Sequence, residues 1–317
     1  MTAPGADGAM TEFDSILLIA FGGPERMDDV RPFLETVTAG RRVPAERLEE
    51  VAGHYQHIGG RSPLGELTRR QAASLETALA AQDAARPVYV GMRNWHPFLH
   101  ETLSVMQGDA RRRALGIILS PFQTEASWDR YIADVAGARE KVGSGAPEVV
   151  FSRPWADHPL FLAGMAQRVE ESLAGIAAER RPAARIIFSA HSIPLAMANA
   201  SPYALQLEGA ARVIAGRLGQ AHWSVAYQSR SGSPCDPWTE PDVGDAIRDA
   251  HRDGARDVVV APIGFVCDHV EVLYDLDVEA RALAQELGLG FHRAPAANDH
   301  PAFIAMLADL VGRALGR

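Results

Sequence analysis

The chain has 317 residues, of which 47% are hydrophobic, and a formal net charge of -9 at pH 7. This length can bury one large core or two ordinary ones, and we expect two similar α/β halves. The negative charge argues against nonspecific binding of nucleic acid, which needs clustered Lys and Arg. No apolar run is long enough to span a bilayer, and residues 1–12 lack the basic flank and apolar core of a signal segment. We therefore predict a disordered N-terminus over 1–12 and a cytoplasmic protein.

Apolar runs alternate with helix-like segments along the first half, as in βαβ units. The pattern predicts strands at 15–20, 87–92, 114–120 and 148–152 and a helix at 28–38. The Pro-containing segment 154–159 is typical of a crossover between domains. We therefore predict an N-terminal α/β domain over 13–153.

The second half repeats this scheme in a domain predicted over 154–300. Its predicted strands are 186–189, 223–228, 257–262 and 290–292, and its predicted helices are 158–176, 202–218, 243–253 and 270–287. A final amphipathic helix within 301–317 is expected to cross back onto the first half. The fold class is thus α/β, with two Rossmann-like domains, each a four-stranded parallel sheet flanked by helices, and an active-site cleft between them.

Acidic residues follow the predicted strand 257–262 at intervals of four: Glu271, Asp275 and Glu279. On an α-helix each such step advances about 6 Å and drifts about 40° around the axis, so the carboxylates would form one ladder. A row of hard oxygen ligands suits a divalent cation that is held loosely and passed on. A solvated acidic face is the alternative.

A histidine, His191, ends the predicted buried strand before Ser192-Ile193-Pro194. Ligands of open α/β sheets bind outside the carboxyl ends of the strands, where the acidic ladder also begins. An imidazole binds borderline metals and takes up protons near neutral pH. Together the two segments indicate a site that handles both metal and protons.

The chain resembles the ferrochelatase family in several blocks that occur in the family's order and span almost the whole sequence. These are LLIAFGGP at 17–24, IGGRSPL at 58–64, GMR at 91–93, SAHSIP at 189–194, YQSRSG at 227–232, PW at 237–238 and the segment 264–277. The resemblance implies two chelatase-type domains and insertion of ferrous iron into a porphyrin in haem biosynthesis. Iron is then a substrate, and no permanently bound cofactor is expected.

The resemblance also implies roles for individual residues. His191 and Glu271 would be catalytic, and His191, Glu271, Asp275 and Glu279 would contact the metal. The resemblance implies porphyrin contacts for His54, Tyr55, Ser62 and Tyr131, and we add Phe21, Arg41 and Trp238 as predicted porphyrin-binding residues. Phe21 stands where related proteins carry a tyrosine, and Thr38 stands where they carry an arginine. Phe21 cannot ligate a metal, and we expect Arg41 to substitute for the missing arginine in holding a propionate.

Two cysteines, Cys235 and Cys267, are the only ones in the chain. They exclude a four-cysteine iron–sulfur cluster supplied by one chain, so this sequence resembles the relatives without one. The sequence of residues 268–275 and the lack of an apolar surface segment for membrane docking resemble the soluble bacterial branch of the family. That resemblance implies coproporphyrin III as the substrate, with protoporphyrin IX as the second candidate. A corrin-ring chelatase, a noncatalytic porphyrin or haem carrier and a solute-binding protein are less favoured alternatives. A monomer is expected.

Overall fold

The computed structural model describes residues 13–40, 43–231 and 236–316. The first half is built in the order β1 (Ser15–Ala20), α1 (Met27–Thr38), α2 (Ala45–His57), α3 (Leu64–Ala80), β2 (Val88–Met92), α4 (Leu99–Gly108), β3 (Arg113–Ile118), α5 (Arg130–Val142) and β4 (Glu148–Phe151). A π-helical turn, Glu125–Asp129, leads into α5. All four strands are parallel and lie in the order β2-β1-β3-β4.

The second half follows the same plan with α6 (Pro159–Leu173), β5 (Arg185–His191), α7 (Leu195–Asn199), α8 (Tyr203–Arg217), β6 (Trp223–Gln228), α9 (Val243–Arg252), β7 (Asp257–Ala261), α10 (Val270–Leu273), α11 (Arg281–Glu286), β8 (Gly290–Arg293) and α12 (Pro301–Ala314). A short 3₁₀ turn, Arg181–Ala183, precedes β5. The parallel strand order is β6-β5-β7-β8.

The predicted fold class is confirmed, and each predicted strand is present with its ends shifted by two residues or fewer. The central strands β1 and β7 are buried along their whole length, whereas the edge strands β4 and β8 are mostly half-buried. This follows from helices covering both faces of a parallel sheet, which makes its inner strands continuously apolar.

One large apolar core joins the two halves. It contains Ile16 and Leu17 of β1, Phe188 of β5 and Leu307 of α12. The final helix α12 packs against α3 of the first half and α6 of the second. A second, smaller core lies between β7, α9 and the segment after α10. In the described part of the chain, none of the helices is both long and apolar enough to cross a membrane.

The predicted single helix over 270–287 is wrong in its interior. It consists of α10, a π-helical turn at Asp275–Ala280 and α11. The amide of Glu279 donates to the carbonyl of Tyr274 at 3.1 Å, five residues earlier. Because a π turn holds an extra residue per turn, steps of four no longer stay on one face of the helix. Asp275 and Glu279 are therefore not stacked as on a regular α-helix.

Candidate active site

The site lies at the carboxyl ends of the strands in the second sheet. His191 is the last residue of β5 and pairs with Gln228, the last residue of β6. The Tyr203 hydroxyl donates to the His191 carbonyl at 2.8 Å, and the Ser192 amide donates to the Gln228 carbonyl at 2.7 Å. These bonds fix the backbone where β5 leaves the sheet.

The orientation of the His191 ring follows from its Nδ1 contact. Nδ1 is hydrogen-bonded to the Ser192 carbonyl, which only accepts, so Nδ1 carries a proton. Nε2 is then the nitrogen that exchanges protons, and it lies 3.6 Å from Glu271 Oε1. The side chains of His191 and Glu271 are 31% and 39% exposed, so the pair is open to an incoming substrate.

The two groups stabilise each other's charged forms. Burial lowers the pKa of His191, but the Glu271 carboxylate, with smaller effects of the Ser192 carbonyl and Asp275, raises that pKa above its ordinary value. Burial likewise opposes ionisation of Glu271, and the His191 imidazole overcomes it, bringing the pKa of Glu271 down to about 2. The pairing therefore favours an imidazolium beside a carboxylate.

Glu271 is held by the turn that precedes α10. His269 caps this helix, and its Nδ1 accepts the Glu271 amide proton at 3.3 Å. Gln228 Nε2 donates to the Glu271 carbonyl at 2.6 Å, while Gln228 Oε1 accepts from Ser189 Oγ at 2.8 Å. Burial lowers the pKa of His269, which fits an imidazole whose lone pair accepts a backbone proton.

Asp275 and Glu279 lie further along the same segment in different surroundings. Asp275 accepts a hydrogen bond from Ser229 Oγ. Burial raises the pKa of Asp275 to about 7, with Glu271 and Glu279 adding repulsion. Glu279 is exposed as a whole residue. Partial burial of its carboxyl group, together with repulsion from Asp242 and Glu50, nevertheless raises the pKa of Glu279.

The predicted metal-binding residues therefore do not surround one common position. His191 and Glu271 form a pair, and Asp275 and Glu279 follow toward solvent. Within the ranges that the structure describes, no group of three or more His, Cys, Asp or Glu side chains is arranged to hold a metal ion.

Two of the predicted porphyrin-binding residues of the first half, Phe21 and Tyr55, belong to an aromatic cluster around Phe33. Phe21 follows β1, is 40% exposed and meets Phe33 edge-on at 6.4 Å between ring centroids. Phe33 in turn contacts the rings of Tyr55 and Trp95 at 6.2 and 6.1 Å. Phe21 thus presents an aromatic face to solvent at a strand end, without an atom able to bind metal.

His54 and Tyr55 lie where the two halves meet. The His54 ring stacks on Tyr274 of the second half, with centroids 3.7 Å apart. Tyr55 is 3% exposed in an apolar cluster with Val270. Both side chains connect α2 to the segment that carries Glu271, and direct contact with a porphyrin stays a prediction for them.

Two of the other predicted porphyrin residues, Ser62 and Tyr131, are buried. Ser62 and Tyr131 are each 5% exposed. The Arg93 guanidinium lies 4.5 Å from the centroid of the Tyr131 ring, and burial raises the pKa of Tyr131 to about 12. Trp238 is half-buried, and its Nε1 lacks a hydrogen-bond partner in the described ranges. Arg41 lies outside the described residues.

Several site residues were not assigned roles from the sequence. Gln228 and Ser229 belong to the YQSRSG block at the carboxyl end of β6, and this position was the available indication. Tyr274 lies in the 264–277 block and Tyr203 in none of the blocks, and each contributes through a tertiary contact.

The arrangement of the strands and of this site defines the class of protein. Among solved structures, the chain is similar to SirB from Bacillus subtilis with Fe3+, at a TM-score of 0.59 and 9% identity over 96% of this chain and 98% of that one. It is also similar to DR2241 of Deinococcus radiodurans, described as resembling chelatases, at a TM-score of 0.59 and 14% identity over 95% of this chain and 55% of that one. The fold is therefore of the chelatase type.

Sequence comparison identifies the family. The family profile described as Ferrochelatase matches residues 14–315. A ferrochelatase of Rhodopirellula baltica is 45% identical over 309 residues, covering 96% of this chain and 87% of the relative. A coproporphyrin III ferrochelatase of Mycolicibacterium paratuberculosis is 45% identical over 303 residues, covering 95% and 88%. The chain belongs to the ferrochelatase family, which confirms the resemblance seen in the sequence, and it is an enzyme that inserts iron into a porphyrin in haem synthesis.

Proposed function

We propose that this ferrochelatase acts on coproporphyrin III, with His191 and Glu271 as its catalytic pair. The observation that carries the catalytic assignment is the 3.6 Å approach of His191 Nε2 to Glu271 Oε1 at the carboxyl end of β5. The substrate assignment is supported by relatives at 43–45% identity that are named coproporphyrin III ferrochelatases. No resident cofactor is part of the proposal, and ferrous iron is a substrate.

The chemistry requires a base at the porphyrin. Two pyrrole N–H protons leave as one ferrous ion enters, and no electron is transferred. A divalent cation near Glu271 competes with His191 for the carboxylate, which lowers the pKa of the imidazole and releases its proton to solvent. The neutral Nε2 then accepts one pyrrole proton, passes it to solvent and accepts the second, while Nδ1 stays bound to the Ser192 carbonyl.

The iron path follows from the order of the carboxylates. Glu279 is exposed, whereas Asp275 and Glu271 are half-buried. Iron would meet Glu279 first and move by way of Asp275 to Glu271, losing water as it proceeds.

The porphyrin would lie against the exposed ring of Phe21, across from His191. Coproporphyrin III carries four propionates, whereas protoporphyrin IX carries two, so the proposed substrate asks for more hydrogen-bond donors and cations around the ring. Arg41 is the cation we assign to one propionate on the basis of the sequence. Trp238, beyond the end of β6, is assigned to the wall of the cleft.

The test is an anaerobic titration with ferrous iron, followed by visible absorption, on coproporphyrin III and protoporphyrin IX in parallel. We expect faster conversion of coproporphyrin III to its iron form. His191→Ala is expected to abolish most turnover and leave far-UV circular dichroism unchanged, because a half-exposed strand-end side chain contributes little to the core.

Three outcomes would contradict parts of the proposal. Faster metallation of protoporphyrin IX would overturn the substrate assignment. Normal turnover by His191→Ala would overturn the catalytic assignment. Binding of either porphyrin without metallation would indicate a carrier, an alternative that the loss of a ligating side chain at Phe21 makes worth testing.

A further inference from the structure

Arg293 is a half-buried arginine on the edge strand β8 that contacts two carboxylates at once. Its Nη1 lies 2.8 Å from Asp268 Oδ1, and its Nη2 lies 3.0 Å from Asp277 Oδ2. Its Nε donates to both Asp277 oxygens at 3.1 Å. The side chains of Arg293 and Asp268 are each 14% exposed, so these charge-assisted bonds are shielded from water.

The two carboxylates bracket the segment that carries the catalytic and iron-handling groups. Asp268 immediately precedes His269, the capping residue of α10. Asp277 lies inside the π-helical turn, two residues after Asp275. One rigid guanidinium therefore ties the start of α10 to the π turn, with Glu271 and Asp275 between the two attachment points.

We infer that Arg293 is a positioning residue that sets the distance between Glu271 and Asp275 and so the transfer of iron between them. A π turn departs from the regular α-helical bonding pattern and needs tertiary support to persist. The guanidinium provides that support at Asp277 and holds the capping turn at Asp268. This inference rests on the proposed function, because it gives Glu271 and Asp275 their roles with iron.

The clamp that Arg293 forms with Asp268 and Asp277 is itself anchored to the first half. The second Asp268 oxygen accepts from Asn298 Nδ2 at 2.8 Å, and the Asp268 amide donates to Asn298 Oδ1 at 2.9 Å. Asn298 has a φ of 47°, a conformation that asparagine tolerates better than most residues. Its carbonyl accepts from Gln71 Nε2 of α3 at 2.7 Å. Arg293 is thus the member of this network that reaches the π turn.

The experiment compares Arg293→Gln with Arg281→Gln. Arg281 also contacts Asp277, at 3.2 Å, but it is 41% exposed and does not bridge to Asp268. Changing a residue that orients metal-handling groups typically costs about 10- to 100-fold in metal affinity or activity. We expect a loss of that size in kcat/KM for ferrous iron with Arg293→Gln, no change in KM for the porphyrin, and near-normal kinetics with Arg281→Gln.

The variant Arg293→Lys distinguishes a positioning role of Arg293 from a role in charge balance. It also provides the test if Arg293→Gln does not fold. Lysine keeps the charge but cannot form the fork to two carboxylates, so we expect a raised KM for iron with a thermal midpoint close to that of the wild type. Wild-type kinetics in Arg293→Lys would overturn the inference. So would equal losses in Arg293→Gln and Arg281→Gln, or an Arg293→Gln variant that only melts earlier and keeps its KM for iron.

A direct binding measurement keeps this test separate from the proposed function. Calorimetric titration of the porphyrin-free protein with Co2+ reports cation binding without turnover. If the wild type metallates neither porphyrin, the proposed function fails; weaker Co2+ binding by Arg293→Lys than by the wild type would still support the clamp. Equal Co2+ binding by the two proteins would overturn it.

Discussion

The two nitrogens of His191 have different partners, a backbone carbonyl on one side and a carboxylate on the other. Nδ1 is hydrogen-bonded to the Ser192 carbonyl, while Nε2 lies 3.6 Å from Glu271. Because the carboxylate stabilises the imidazolium, the pKa of His191 is raised above its ordinary value. The neutral, reactive form of the imidazole therefore becomes more abundant as pH rises through this raised pKa.

Glu271→Gln is expected to lower the pKa of His191, because the amide no longer stabilises the imidazolium while burial still opposes the charge. Because Glu271 raises the pKa of His191, its removal moves the titration midpoint of His191 to lower pH. Carbon-13 labelling of the histidine rings and an NMR titration would measure the midpoint, with assignment from a His191→Asn spectrum.

Glu279→Gln is the matched control, since it removes a carboxylate from the same segment that does not act on His191. We expect the His191 midpoint to stay at its wild-type value in this variant. A midpoint that stays fixed in Glu271→Gln, or moves to higher pH, would contradict the assignment of Glu271 as the group that controls His191.

The sequence selected His191 and Glu271 as candidate site residues from strand-end position and block order, and the structure places their side chains 3.6 Å apart. It did not indicate the residues that support them. Arg293 could not be selected, because its partners lie 25 and 16 residues earlier and meet it only after β8 joins the sheet. The stacking of His54 on Tyr274 was not predicted either, because the two residues belong to opposite halves and meet only in the folded protein.

The turn between β7 and α10 delivers Glu271 to the site, and it passes very close to β5. The Gly264 amide donates to the Ser189 carbonyl at 3.0 Å. A Cβ placed on Gly264 would lie 2.7 Å from the Ala190 Cα and would also meet the Ala190 Cβ. Glycine is needed here for close approach of two backbones, one residue away from His191.

Gly264→Ala is therefore expected to lower the free energy of unfolding by about 1–3 kcal/mol, the usual cost of overpacking a filled interior. It should also lower kcat, because the clash displaces the backbone next to His191. Urea unfolding and the metallation assay measure the two effects. Gly209→Ala, where an added Cβ meets nothing within 4 Å, is the control, and equal behaviour of the two variants would refute the close-approach argument.

Elements were predictable where burial enforces a pattern. The strands are continuous apolar runs, so their positions follow from the sequence. Helices α2, α3, α4 and α5 were not predicted. In α2, Tyr55 is the one buried residue, which leaves little periodic pattern to detect. The π turn within 270–287 was not predicted either, since apolar spacing does not distinguish one extra residue per turn from a regular α-helix.

The whole molecule is tied together by the last helix and by the segment that connects the halves. Trp155, in that segment, packs against Phe161 of α6 and Phe303 of α12 at 5.1 and 5.8 Å between ring centroids. Its Nε1 donates to the Ile118 carbonyl at the end of β3. The apolar core therefore continues across the boundary between halves, although the sequence predicted a separate domain for each.

Leu307→Ala tests whether this shared core makes the two halves unfold together. Leu307 is 0% exposed in α12, within the core that contains both sheets. Loss of its buried side chain is expected to lower the free energy of unfolding by about 2–5 kcal/mol. Because the cavity lies in a shared core, urea curves from far-UV circular dichroism and from tryptophan fluorescence should shift by the same amount and remain coincident. Val213→Ala, at an exposed position on α8, should leave both curves nearly unchanged, within about 0.5 kcal/mol. Separation of the two curves in Leu307→Ala would instead show that each half is stabilised by its own core.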